Sequence, residues 1–137
     1  VKPIGYWLNR TDLALTTTMN AMLAGSGLTR LTWQVLNVLE ADPQATDTTV
    51  RMSLTVNASP AELADAITTV LADGWVVRPA AEHLALTEDG RARLSRVGER
   101  VAAFREASVA GISPEEYRTA VAVLEQMTLN VESGQGC

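Results

Sequence analysis

The stretch from Ser59 to Gly90 reads SPAELADAITTVLADGWVVRPAAEHLALTEDG, and the order of its signals decides the fold. Ser59-Pro60-Ala61-Glu62 is a capping box with proline at the first helical position: the serine hydroxyl takes the third amide while the glutamate reaches back. Leu63, Ala66, Ile67, Val70 and Leu71 follow at helical spacing until Gly74 stops the helix. Trp75-Val76-Val77-Arg78 and Leu84-Ala85-Leu86-Thr87 then read as two short strands around the turn Pro79-Ala80-Ala81-Glu82-His83. A capped helix runs into a small hairpin, and helical spacing resumes at Glu88.

Helices are expected on both sides of this stretch. From Tyr6 to Ala24, Leu8, Leu15, Met19 and Met22 form one stripe, which Gly25-Ser26-Gly27 ends. Thr29 caps a second helix carrying Leu31, Val35, Val38 and Leu39 as far as Asp42-Pro43. Between Thr46 and Asn57, Val50, Leu54 and Met52 predict a shorter third helix. Downstream, Leu94, Val97, Val101, Phe104 and Ser108 predict a helix of about 22 residues, near 33 Å long at the usual rise. Ser113-Pro114-Glu115-Glu116 is another capping box, and Tyr117, Val121, Leu124, Met127 or Thr128, and Val131 carry a last helix. The fold class is mainly α with a small β-hairpin. With so few strands and no crossover units, a parallel-sheet enzyme fold is excluded.

The chain has 137 residues, 47% hydrophobic and 20% charged, which fits one globular domain and excludes pervasive disorder or a fibrous repeat. Cys137 is the single cysteine, so an intrachain disulfide is impossible, a cytoplasmic location is expected, and an inert tail thiol is the simplest role for it. The start at Val1 reads as a trimmed or incompletely recorded N-terminus, and residues 133–137 as a frayed tail. No apolar run approaches a membrane span of roughly 18 residues, so no membrane partner is expected. One histidine and one terminal cysteine give no zinc signature, no serine is placed near His83, and no lysine follows Gly25-Ser26-Gly27 to make a phosphate loop. No cofactor is expected, and enzyme activity has no motif behind it.

Three segments then carry a family resemblance. They are Gly27-Leu28-Thr29 with Trp33, Val35, Leu36 and Leu39; Leu71-Ala72-Asp73-Gly74-Trp75-Val76-Val77-Arg78; and Leu84-Ala85-Leu86-Thr87-Glu88-Asp89-Gly90. In order and spacing the chain resembles the MarR family, the multiple-antibiotic-resistance type of winged helix-turn-helix regulators, over nearly its whole length. The resemblance implies a single domain with a winged-helix lobe over 28–87 and dimerisation helices over 1–27 and 88–132. It implies a homodimer, for which Leu8, Val101, Tyr117 and Leu124 are the candidate contacts; helices closing a monomeric bundle are the alternative. It also implies that the helix after Ser59 enters the DNA major groove while the hairpin reaches the minor groove or backbone. A small aromatic effector would sit in the cleft between the dimerisation helices and the winged-helix lobe.

The DNA-facing segment departs from the family. Over 59–87 the one cation is Arg78, and the segment sums to −3 of the chain's total of −5. The recognition helix offers Ser59, Asp65, Thr68 and Thr69, with no arginine to fork onto guanine. The wing is short and lacks the arginine that the family usually carries, leaving His83 at that turn. Arg30, Arg51 and Arg78 are the phosphate candidates, with Arg91 and Arg93 behind them. The long-helix arginines Arg91, Arg93, Arg96, Arg100 and Arg105 otherwise read as a solvated face pairing with Glu88, Asp89, Glu99 and Glu106. Three phosphate contacts per subunit in a dimer would give a log–log salt slope of about −5. Tyr6, Trp7, Arg10, Met19, Trp33 and Phe104 are the candidate effector residues, aromatics with one cation that suit a flat, weakly acidic ligand; at helical spacing such side chains also serve as core or dimer seam. Two readings follow: an effector-controlled regulator that binds double-stranded DNA, and a MarR-like fold that has lost DNA recognition and keeps the cleft as a small-molecule binder or repurposed enzyme.

Overall fold

Four of the six described helices start on a reciprocal side-chain cap, while the first begins at Ile4 after Pro3 without a side-chain cap. The computed structural model describes residues 1–134, so Gln135, Gly136 and the thiol of Cys137 lie outside the described residues. The order is α1 (Ile4–Ala24), α2 (Arg30–Ala41), α3 (Asp47–Ser53), α4 (Pro60–Ala72), β1 (Val76–Val77), β2 (Ala85–Leu86), α5 (Glu88–Ser108) and α6 (Pro114–Ser133). Reciprocal capping boxes open α2 (Thr29 with Thr32), α3 (Thr46 with Thr49), α4 (Ser59 with Glu62) and α6 (Ser113 with Glu116). Each satisfies two amides that the first turn would leave without a partner. The third helix is shorter than its spacing predicted: Leu54 ends it as the C-cap, and Met52, expected on its apolar side, is 76% exposed.

Two compact units divide the chain, Val1–Val101 and Ala102–Cys137, with the boundary inside α5. The core of the first unit joins Val35, Leu36 and Leu39 of α2 to Leu63, Ile67 and Val70 of α4, with Trp75, Leu84, Leu94, Val97 and Val101 closing it. In the second unit the predicted stripe of α6 is present but open: Tyr117, Val121, Leu124, Met127 and Val131 are all exposed. Ile4, Trp7, Leu8, Leu13 and Leu15 of α1 are exposed as well, while Leu23 at its end is buried.

The hairpin is antiparallel, with Val76 opposite Leu86 and Val77 opposite Ala85. It is reached through a left-handed Gly74 (φ 81°), where the Trp75 amide donates to the Val70 carbonyl at 3.1 Å and the Gly74 amide to Leu71 at 3.3 Å. That pair of bonds terminates α4 and needs the conformation glycine adopts without strain. On the far side Thr87 starts α5: its hydroxyl accepts from the Gly90 amide at 2.8 Å and donates to the Gly74 carbonyl at 2.9 Å. Here α5 presses directly on the backbone of Trp75, just before β1. A Cβ on Gly90 would lie 2.1 Å from the Trp75 carbonyl oxygen and 2.9 Å from the Thr87 hydroxyl.

Because the obstructing atom is backbone, Gly90→Ala is expected to push α5 off the hairpin and destabilise the protein by about 2–3 kcal/mol, the usual cost of overpacking. Urea denaturation checks this, with Gly98→Ala as control, since a Cβ at Gly98 meets nothing within 4 Å.

Candidate nucleic-acid interface

The α3–turn–α4 unit presents the second of its helices with the apolar stripe inward, Leu63, Ala66, Ile67 and Val70 being buried. Glu62, Asp65, Thr68 and Thr69 are left exposed. The hydroxyls of Thr68 and Thr69 donate to the carbonyls of Ala64 and Asp65 at 3.0 and 2.9 Å, so toward a base edge they offer acceptor lone pairs. Ser59 is occupied by its cap: its Oγ accepts from the Glu62 amide at 3.2 Å and its amide donates to the Glu62 carboxylate at 2.9 Å. The hydrogen bonds from the Ser59 amide and hydroxyl hold the Glu62 carboxyl below the usual carboxylate range. The outward face of α4 therefore carries two carboxylates and no cation.

The wing folds back rather than extending. The Leu84 amide donates to the Ala45 carbonyl at 3.0 Å, the Asp47 amide donates to Glu82 at 3.2 Å, and Thr46 bridges to His83. Glu82 takes a left-handed turn conformation (φ 62°) to make this possible. His83 is half-buried, and its Nε2–H donates to the Pro43 carbonyl at 3.0 Å. Arg78 forks onto the Asp47 carboxylate at 2.7 and 2.9 Å, with the two side chains 38% and 19% exposed. The guanidinium holds the Asp47 carboxyl below the usual carboxylate range and is itself held further toward the charged form.

Of the phosphate candidates, Arg78 is thus ion-paired, and Arg91 meets Glu40 at 3.2 Å rather than a neighbour on its own helix. Arg93 pairs with Asp89 at 3.6 Å. Arg30 and Arg51 are exposed, Arg51 donating to the Thr48 hydroxyl at 3.0 Å, and neither has an ion pair among the described residues. Sequence reasoning missed the Asp47–Arg78 fork because its partners are 31 residues apart.

The proposed effector residues are placed variously. Tyr6 and Trp7 are exposed and meet edge to face at 5.0 Å, with the Lys2 ammonium 5.0 Å from the Tyr6 ring centre. Arg10 is exposed, Met19 and Trp33 are half-buried against the core of the first unit, and Phe104 is half-buried in the second. Among the proposed dimer contacts, Leu8, Tyr117 and Leu124 are exposed and Val101 is buried in the first unit's core.

Structural comparison decides the fold family. A MarR family protein of Mycobacterium tuberculosis superposes with a TM-score of 0.72 at 25% identity, covering 92% of this chain and 94% of that one. This chain has the MarR-type winged-helix fold. A MarR family regulator from Rhodococcus sp. RHA1 matches at TM-score 0.68 and 21% identity, over 93% and 91% of the two chains. The repressor CouR, solved with p-coumaroyl-CoA, matches at 0.73 and 23%, over 92% and 91%. The mycobacterial protein has also been solved with DNA and with p-aminosalicylic acid. No protein-family model matches this chain, and no curated protein sequence does. On the MarR-type frame, α4 is the second helix of the helix-turn-helix and the β1–β2 hairpin is the wing.

Asp47 titrates lower folded than unfolded, so its contribution is fully present above the unfolded carboxylate pKa and is lost as pH falls through the folded value. With Arg78 more than a third exposed, the pair is worth about 1 kcal/mol. Asp47→Asn is expected to lower Tm by about 3 °C at pH 7 and to flatten the acid limb of a Tm-against-pH curve. Arg78→Ala should produce the same loss, with the double variant no worse than either single one.

Proposed function

We propose that this chain is a homodimeric transcriptional regulator whose affinity for double-stranded DNA is set by a small molecule bound between the dimerisation helices and the winged-helix lobe. The observation that carries the proposal is the MarR-type fold over 92% of the chain, shared with a protein solved on DNA. The exposed apolar residues of α1 and α6 support the dimer. Leu8, Leu15, Tyr117, Val121 and Leu124 are too many large side chains to face water on helices this regular, and a second copy of the chain would cover them. Effector control is a population shift: a ligand that prefers the dimer geometry with mis-spaced recognition helices lowers operator affinity by its differential affinity for that state.

The charge distribution supports a second reading. With an acidic outward face on α4 and Arg78 tied to Asp47, the fold can also serve as a small-molecule binder or repurposed enzyme without DNA recognition. Salt dependence separates the two. Arg30 and Arg51 in each subunit make four phosphate contacts per dimer, for a log–log slope of about −4 instead of the −5 that six contacts would give. Titration of the protein against its own upstream DNA over a salt series is expected to give that slope. Arg51→Ala should lower affinity uniformly across sequences and reduce the slope by about 2, one for each subunit. Absence of any specific shift at low salt, with a dimer still present in analytical ultracentrifugation, would establish the second reading.

A further inference from the structure

Three arginines on α5 converge on a recess that neither the fold nor the DNA-facing surface accounts for. Arg93, Arg96 and Arg100 stand at i, i+3 and i+7 and so share one helical face, where like charges repel. Among the described residues neither Arg96 nor Arg100 has an ion pair, and only Arg93 is partly offset, by Asp89 at 3.6 Å. Two of the guanidinium groups are held in place. Arg93 lies over the Trp75 ring, 3.8 Å from its centre, and donates to the Asp73 carbonyl at 3.2 Å. Arg100 donates to the Ser26 hydroxyl in the α1–α2 connection, 74 residues away in sequence. Between them is a cavity of about 190 Å³ bounded by Ser26, Trp75, Arg93, Arg96, Val97 and Arg100, all within the first unit.

We propose that this recess binds the phosphate monoester of a small molecule. Its volume falls below the roughly 300 Å³ at which drug-sized ligand pockets begin, so it suits a compact charged group better than a ring system. Guanidinium forks match phosphate oxygens in geometry as well as charge, and the Ser26 hydroxyl adds a neutral donor. The recess has room for one phosphate group and not for a run of them, which favours a terminal phosphate over a phosphodiester chain. Arg93 is the preorganised wall, and Arg96, exposed and uncommitted, is the group that closes on the ligand. With the winged-helix lobe over 28–87, the recess lies where the dimerisation helices meet that lobe, so its reading as an effector subsite rests on the proposed function, while phosphate binding itself is tested without DNA.

Calorimetric titration of the full chain with inorganic phosphate above pH 7, at ionic strength matched with sodium chloride, tests it. Saturable binding at one site per chain is expected, and Arg96→Gln and Arg100→Gln should each weaken it about tenfold, the loss of one charge-assisted hydrogen bond. Arg118→Gln on α6 removes the same charge elsewhere and should leave binding unchanged. The substituted side chains are exposed, and circular dichroism melts confirm that the variants fold. No saturable binding, or equal weakening by Arg118→Gln, overturns the proposal. It also falls if phosphate does not bind while Arg96→Gln and Arg100→Gln reduce DNA affinity, because the arginines would then serve the nucleic-acid backbone.

Discussion

The carbonyl group of Trp75 is the joint on which the first unit turns. It accepts from the Thr87 amide at 3.0 Å, and it lies against the Cα of Gly90 with no room for a side chain between them. The Trp75 ring is 1% exposed, locked into the core on one side and covered by Arg93 on the other. The exit of α4, both strands and the first turn of α5 are therefore fixed to one residue. Because α4 is the second helix of the helix-turn-helix and α5 carries the arginine face, one backbone contact joins the two. The core could tolerate a changed methyl group more easily than this joint could.

Formal charge overstates what the protein can offer an anion near the wing. Arg78 and Arg91 are each matched to a carboxylate on another element, Asp47 at the start of α3 and Glu40 on α2, so two of the cations counted toward phosphate contact are paired within the protein instead. Of the arginines weighed for phosphate contact, Arg30 and Arg51 have no ion pair among the described residues, nor do Arg96 and Arg100 on the face of α5. The concentration of negative charge in 59–87 is a property of the segment, while the placement of the positive charge is a property of the fold.

What was legible in the sequence was whatever is encoded locally. The starts of α4 and α6 follow from residues three apart, that of α2 from the cap residue Thr29 alone, and the hairpin from two apolar runs around a turn. The length of α3 was less legible, because Leu54 fits a helical stripe equally well as the buried cap that ends it. The Leu-Thr-Glu-Asp-Gly run identified the fold by resemblance, but the reason for its glycine is the Trp75 carbonyl fifteen residues earlier, which no local pattern reveals. For the same reason the arginines of α5 read as a solvated face: their spacing was visible, but Ser26 and the Trp75 ring, which make a recess of that face, come from distant parts of the chain.

The reciprocal caps also bear on how quickly the chain finds its structure. Nucleating a helix fixes several dihedral angles for a single hydrogen bond, and this is the unfavourable step. A side-chain cap that forms within four residues offsets part of it before any tertiary contact exists. With such caps at Thr29, Thr46 and Ser59, the three helices of the winged-helix lobe can each start in the right place independently. The remaining search is the docking of preformed segments over short loops, a low-contact-order problem of the kind that folds in microseconds to milliseconds.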